Sequence, residues 1–194
     1  MLVLGLCIGY GAALHPRSPV KVADQSPAQA IAVHFSPKGG CTQVVEQSIA
    51  EAQRSILVQA YSFTSTAIAE ALVAAHARGV SVQVLVDRSQ RTGRYTQIPR
   101  LTQSGIPVLI DKVPGIAHNK VMIIDQARVL TGSFNWTNAA EHRNAENLLV
   151  ISDPQVSQTY EASWHMRAAK AQPLLYATKS SKKVNVAPHE KHAA

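Results

Sequence analysis

Cysteine is nearly absent: the 194 residues hold only Cys7 and Cys41, too few for a disulfide scaffold or a four-thiolate zinc site. Long apolar runs are missing as well. The charge-free opening stretch Met1–Leu14 would span about 21 Å as a helix, short of the roughly 30 Å of a bilayer's hydrocarbon. No segment repeats internally, and no histidine or cysteine pair falls at HExxH or CxxC spacing. Charged residues make up only 16% of the chain, which excludes a polyelectrolyte. Hydrophobic residues at 46% exclude a wholly disordered chain.

What is present is a basic excess. Nineteen Lys and Arg against twelve Asp and Glu give a formal charge of +7 and a pI of about 9.7. This balance fits an anionic partner such as nucleic acid, phospholipid head groups or a phosphorylated substrate, and equally a soluble basic protein with no such partner. The excess is uneven: +1 over residues 1–29, +3 over 30–177 and +3 over 178–194. Overall charge is therefore a poor guide to any one site.

The length suits one domain with tails. Residues 1–23 read as an export signal cleaved after Ala13 or Ala23, which implies a periplasmic or secreted protein, although the usual basic residues before the apolar stretch are missing. A buried or membrane-associated N-terminal helix is the other reading. Residues 24–29 form a linker, 30–177 the folded domain, and 178–194 a basic, aperiodic, disordered tail. With the leader removed only Cys41 remains, and a lone cysteine is ordinarily a small buried hydrophobe.

Within the domain, strand and helix patterns alternate. Ala30–Phe35 is a short apolar run closed by the turn cluster Ser36–Gly40. Val45, Ile49, Ala52 and Ile56 share one helical face. Ile56–Phe63 reads as a strand, and Ser65 or Thr66 caps a helix that Gly79 stops. Val80, Val82, Val84 and Val86 alternate along the next strand, up to Asp87. Further strands are expected at Ile106–Ile110, Lys120–Asp125, Arg128–Gly132 and Asn147–Ile151, and a last helix from Pro154 to about Ala169. The expectation is an α/β domain with a mixed, mostly parallel sheet flanked by helices.

The densest polar cluster inside this apolar pattern is His118-Asn119-Lys120, followed by Asp125 and Gly132-Ser133-Phe134-Asn135. Strand residues two apart share a face, so His118 and Lys120 project together, as do Ser133 and Asn135. An imidazole, an ammonium, a hydroxyl and an amide gathered in one patch suit a tetrahedral oxyanion. Lys120 supplies charge, Ser133 and Asn135 supply donors, and His118 attacks or transfers a proton. A lysine beside the cluster's histidine repels a cation, so no metal ligand and no cofactor is expected here.

The pattern His118-x-Lys120-x4-Asp125-x6-Gly132-Ser133-x-Asn135 resembles the HKD signature of the phospholipase D superfamily, with every defining position filled. Gln59–Phe63, Arg78-Gly79-Val80, Asp87–Gln90 and Asn144–Asn147 also match, so the resemblance covers roughly residues 30–170. It is most similar to the small Nuc-type bacterial endonucleases, which carry one motif per chain. The resemblance implies an α-β-α sandwich and a homodimer, because the superfamily's site uses two facing motifs. It further implies attack by His118 of one protomer to give a phosphohistidine, with His118 of the other as general acid. Lys120 and Asn135 would bind the non-bridging oxygens, Glu146 would hydrogen-bond the back of the imidazole, and Ser133 would support that network. Asp125 reads as structural, holding the turn after it.

The stretch 88–100 carries Arg88, Arg91, Arg94 and Arg100 around Tyr95, the basic-plus-aromatic composition of a nucleic-acid contact surface. Phe134 and Trp136 flank Asn135, with base stacking and packing in the core or a dimer interface both open. His34 reads as a core or edge histidine. The sequence therefore points to a metal-independent endonuclease acting on DNA, with RNA as a further substrate. A phospholipase D or phosphatidyl-transfer enzyme acting on lipid head groups is the alternative.

Overall fold

Apolar residues at every second position build the sheet of this chain, and those recurring every third or fourth build the helices that cover it. The computed structural model describes residues 30–174, so the expected leader 1–23, linker 24–29 and tail 178–194 lie outside the described residues. Eight strands form one sheet: β1 Ala30–Ser36, β2 Ser55–Ala60, β3 Ser81–Val86, β4 Val108–Ile110, β5 Lys120–Ile124, β6 Arg128–Gly132, β7 Glu146–Ser152 and β8 Gln172–Pro173. Five α-helices accompany them: α1 Cys41–Glu51, α2 Thr66–Ala77, α3 Ile98–Gln103, α4 Asn138–His142 and α5 Pro154–Ala168.

The strands lie in the order β1-β7-β6-β5-β2-β3-β4-β8. Only β2–β3 and β3–β4 pair in parallel, and the other five neighbouring pairs are antiparallel. The sheet is mixed as expected, but the expectation that it is mostly parallel is corrected. The reason lies in the connections. A parallel pair needs a crossover of about a dozen residues, which α2 supplies between β2 and β3. Only Asp125–Ala127 separate β5 from β6, which leaves those two no choice but to run antiparallel.

Two apolar layers sandwich the sheet. On one face Ile56, Val58, Val82, Val84, Met122 and Leu130 pack under α1 and α2, which contribute Val45, Ile49, Ile68 and Leu72. Cys41 is buried in this layer. On the other face Leu57, Leu85, Val121, Ile123 and Val129 pack under Trp164 of α5. Capping follows the sequence: Ser65 Oγ accepts from Ile68 N at 3.3 Å, and Gly79 takes φ 93° just past α2. The strand expected to reach Phe63 ends at Ala60, and the irregular stretch 88–100 holds a short 3-10 turn, Arg88–Arg91, and the start of α3.

Because β5 runs antiparallel to β2, with Ala60 opposite Lys120, one end of the sheet collects Tyr61, Asp87, Lys120, Gly132 and Glu146. Asp125 lies at the other end. Its left-handed backbone (φ 54°) presents a carboxylate that accepts from Gln53 N (2.8 Å), Arg54 N (2.7 Å) and Ser55 N (2.9 Å). What it holds is therefore the α1–β2 connection, seventy residues away in sequence, and not only the turn that follows it. Burial pushes its pKa up, but the three N–H donors and the Arg54 charge outweigh this and hold it below the usual carboxylate value. A depressed carboxylate stabilises the fold above its unfolded pKa, and that contribution fades as pH falls through the folded value. Asp125→Asn is expected to lower unfolding free energy at pH 7 by about 1–3 kcal/mol in urea titrations, with the gap to wild type closing below about pH 4.

Candidate active site

Lys120 opens β5 and is only 6% exposed, an unusual position for an ammonium. Its Nζ donates to the carbonyl of His118 at 2.6 Å and lies 2.9 Å from His118 Nδ1. His118 itself precedes the strand and is exposed, so the ring's other nitrogen is the one left for chemistry. Burial pushes the Lys120 pKa down, and the charge of Glu146 partly restores it. Tyr61, the first residue after β2, donates its N–H to Asn119 O at 3.1 Å. Its ring sits 4.5 Å from the imidazole, tilted by 54°, and 5.0 Å from Lys120 Nζ.

The approach to His118 is fixed from β3. Asp87 is buried at the end of that strand, and its two carboxylate oxygens accept from Ser89 N (2.9 Å) and Ala117 N (2.8 Å). Burial opposes its ionisation, and these N–H donors overcome that and hold the pKa low. The sequence reading named Asp87 as the end of a strand and within the matching stretch Asp87–Gln90, and gave it no role of its own. Its signal was an aspartate closing an apolar strand with serine two positions on, the composition of an Asx turn.

Ser133 and Asn147 form a reciprocal pair. Ser133 N donates to Asn147 Oδ1 at 2.9 Å, and Asn147 N donates to Ser133 Oγ at 3.0 Å. The Ser133 hydroxyl thus braces β7, where the resemblance had it supporting the imidazole. Gly132 makes this possible: at φ 149° a Cβ there would lie 2.3 Å from Asn147 O. Asn135 is half-buried, with its Oδ1 buried and without a hydrogen-bond partner. Glu146 accepts from Asn144 Nδ2 at 2.9 Å. Its expected bond to the back of the imidazole is replaced by the Lys120 contact, and it acts on the site through its charge.

Trp136 is fully buried and donates Nε1–H to Gln59 O at 3.1 Å, with Phe134 buried against it. Of the readings left open for this pair, base stacking and packing, the structure puts both side chains in the core. Arg88, Arg91 and Arg94 are exposed, and Arg94 lies 4.9 Å above the ring of Tyr95, itself 71% exposed. Gln90 anchors their loop, accepting from Phe63 N and Thr96 Oγ1. Arg100 is engaged by Glu70 at 3.1 Å. His34 lies half-buried on the edge strand β1. Among the described residues no group of three or more His, Cys, Asp or Glu could hold a metal ion.

An exposed imidazole, a buried ammonium and an amide at the end of one sheet are the parts needed to attack a tetrahedral phosphorus and to hold its oxygens. Residues 45–167 match the family model described as "Cardiolipin synthase, PLD-like domain". The chain belongs to the phospholipase D superfamily. A "Phospholipase D" from Rickettsia conorii is 47% identical over 135 residues, 70% of this chain and 68% of that one. A "Mitochondrial cardiolipin hydrolase" from Xenopus tropicalis is 33% identical over 125 residues, 64% of this chain and 60% of that one. Among solved structures, the phospholipase D family member Nuc from Salmonella typhimurium is 39% identical. It superposes with a TM-score of 0.71 over 75% of this chain and 98% of that one. As a phospholipase D superfamily member the chain is a phosphodiester hydrolase, and all six motif positions from His118 to Asn135 lie within the matched span.

Gly132→Ala is expected to destabilise the fold by about 2 kcal/mol or more, because its Cβ meets the backbone carbonyl of Asn147 as well as that residue's side-chain oxygen. Urea denaturation measures the loss, and faster amide exchange at Ser133 and Asn147 locates it. An unchanged midpoint would show that the β6–β7 junction yields without cost.

Proposed function

We propose that this chain is an endonuclease that hydrolyses phosphodiesters in DNA, and in RNA, at a site built from two copies of the chain. The observation that carries the choice of substrate is the junction at Asp87. One buried carboxylate holds Ala117, the residue before His118, and opens the turn that bears Arg88 and Arg91. The turn that bears these exposed guanidinium groups, with Tyr95 after it, is therefore tied through one side chain to the residue before His118, which suits a phosphate backbone as ligand. The apolar segment Met1–Leu14 supports action in the periplasm or outside the cell.

In this reading the free ring nitrogen of His118, Nε2, attacks phosphorus in line, and the bond to the leaving oxygen breaks as the N–P bond forms. A second His118, protonated, donates its proton to that oxygen, then takes one from the water that displaces the phosphohistidine. With Lys120 charged and donating to Nδ1, the ring proton of a neutral imidazole sits on Nε2. Attack therefore follows once a phosphate oxygen draws Nζ away and the proton moves to Nδ1. Lys120 and the Asn135 amide from both copies hold the non-bridging oxygens, so the charge stabilisation needs no divalent ion.

The second copy is supported by the chain's single motif and by an exposed apolar face. Ile31, Val33 and Phe35 alternate along the edge strand β1 and are 61%, 50% and 65% exposed. Phe35 pairs with Asn147, the partner of Ser133, so this face runs to within one strand of the motif. Such a patch suits a copy of the chain better than water. A second reading, hydrolysis at a phospholipid head group, is favoured by Ile116, 57% exposed two residues before His118. The names borne by the Rickettsia and Xenopus relatives favour it as well.

Wild type is expected to nick plasmid DNA in EDTA, with His118→Ala slower by about a thousandfold or more, and with a bell-shaped pH profile of kcat/KM. Intact plasmid alongside hydrolysed phosphatidylcholine vesicles would move the assignment to lipid, and equal nicking by both proteins would trace it to a contaminant. Val33→Asp is expected to convert a dimeric mass in light scattering to a monomeric one while circular dichroism is unchanged, with activity falling in step. A monomeric mass for active wild type would sink the shared site.

A further inference from the structure

We propose that Tyr61 is a positioning residue of this site, its ring holding the His118 imidazole and the Lys120 ammonium in register as one unit. The motif does not contain Tyr61, and no role was assigned to it from the sequence. Three contacts single it out. Its N–H is bonded to the carbonyl of Asn119, the residue between the two working groups, which fixes its backbone against theirs. Its ring packs on the imidazole at 4.5 Å, and Lys120 Nζ lies 5.0 Å from the same ring.

The physical need is clear from Lys120. A buried ammonium keeps its proton only where neighbours favour charge, and its charge-bearing or polarisable neighbours are few. The titratable groups facing it are His118 from its own segment, Tyr61 from the end of β2 and Glu146 from the start of β7. Glu146 already accepts from Asn144, and the imidazole must let go of Nζ during reaction. The ring face is the contact that persists through that change, because its quadrupole attracts the cation without consuming a donor. The same ring limits rotation of the imidazole, so losing it loosens both groups together.

The inference rests on the phosphodiester chemistry proposed above for its kinetic arm only. Tyr61→Phe keeps the ring, and kcat on plasmid is expected within about twofold of wild type. Tyr61→Leu keeps apolar bulk without the quadrupole. We expect kcat to fall about tenfold with KM little changed, and the basic limb of the kcat/KM profile to move to lower pH. Without any substrate, carbon-13 NMR of the Lys120 ε-methylene should show its titration unchanged in Tyr61→Phe and displaced downward in Tyr61→Leu. If wild type proves inactive on DNA, the nuclease reading fails and this titration still decides the role of Tyr61. An unmoved Lys120 titration in Tyr61→Leu, with any kcat loss following a lower Tm, would make Tyr61 a packing residue. Equal damage from Phe and Leu would place the function in the hydroxyl and overturn the ring's role.

Discussion

A nearly buried ammonium at the mouth of a sheet is the constraint around which this molecule is arranged. Lys120 is 6% exposed, and an unpartnered cation at that depth costs several kcal/mol. The chain meets the cost by bringing separate elements to one edge. β5 carries the lysine itself, the end of β2 lends an aromatic face, and the start of β7 lends a carboxylate. That convergence exists because β5 is inserted antiparallel beside β2, so the start of one strand meets the end of the other. A parallel β5 would have carried its lysine to the far end, where Asp125 sits.

Two aspartates anchor the sheet at its opposite ends, and both do so by accepting backbone N–H groups from remote segments. Asp125 clasps 53–55 at one end, and Asp87 clasps Ala117 at the other. Each replaces a stretch of regular secondary structure that the topology cannot provide, since a loop that leaves a sheet takes its donors out of the ladder. In both cases depressed carboxylate pKa values are the electrostatic trace of the job. The acid of the motif and the acid outside it are thus the same device used twice.

Much of this was legible in the residues. Alternating valines from Val80 to Val86, the Ser65 cap and the Gly79 stop each act locally, and local signals survive in sequence. The motif's spacing likewise announced that His118 and Lys120 would meet. What could not be read were facts that depend on which strand lies beside which. The direction of pairing was misjudged because βαβ signals in the first half were extended to a second half joined by short links. Base stacking and core packing both stayed open for Trp136, because its bond to Gln59 O joins residues far apart in sequence. Ser133 and Asn147 are fourteen residues apart, and their mutual bonding depends on a β6–β7 register that no local pattern encodes. Tyr61 and Asp87 were given no role for the same reason, since each gains its meaning from a neighbour distant in sequence.

The carboxylate of Asp87 is a single rigid body gripping two segments at once, the arginine turn through Ser89 and the doorstep of the histidine through Ala117. Force applied to one is delivered to the other through two short bonds and no flexible joint. The arginine turn and the segment that leads into His118 therefore cannot shift independently, and a displacement of either one is felt at the other.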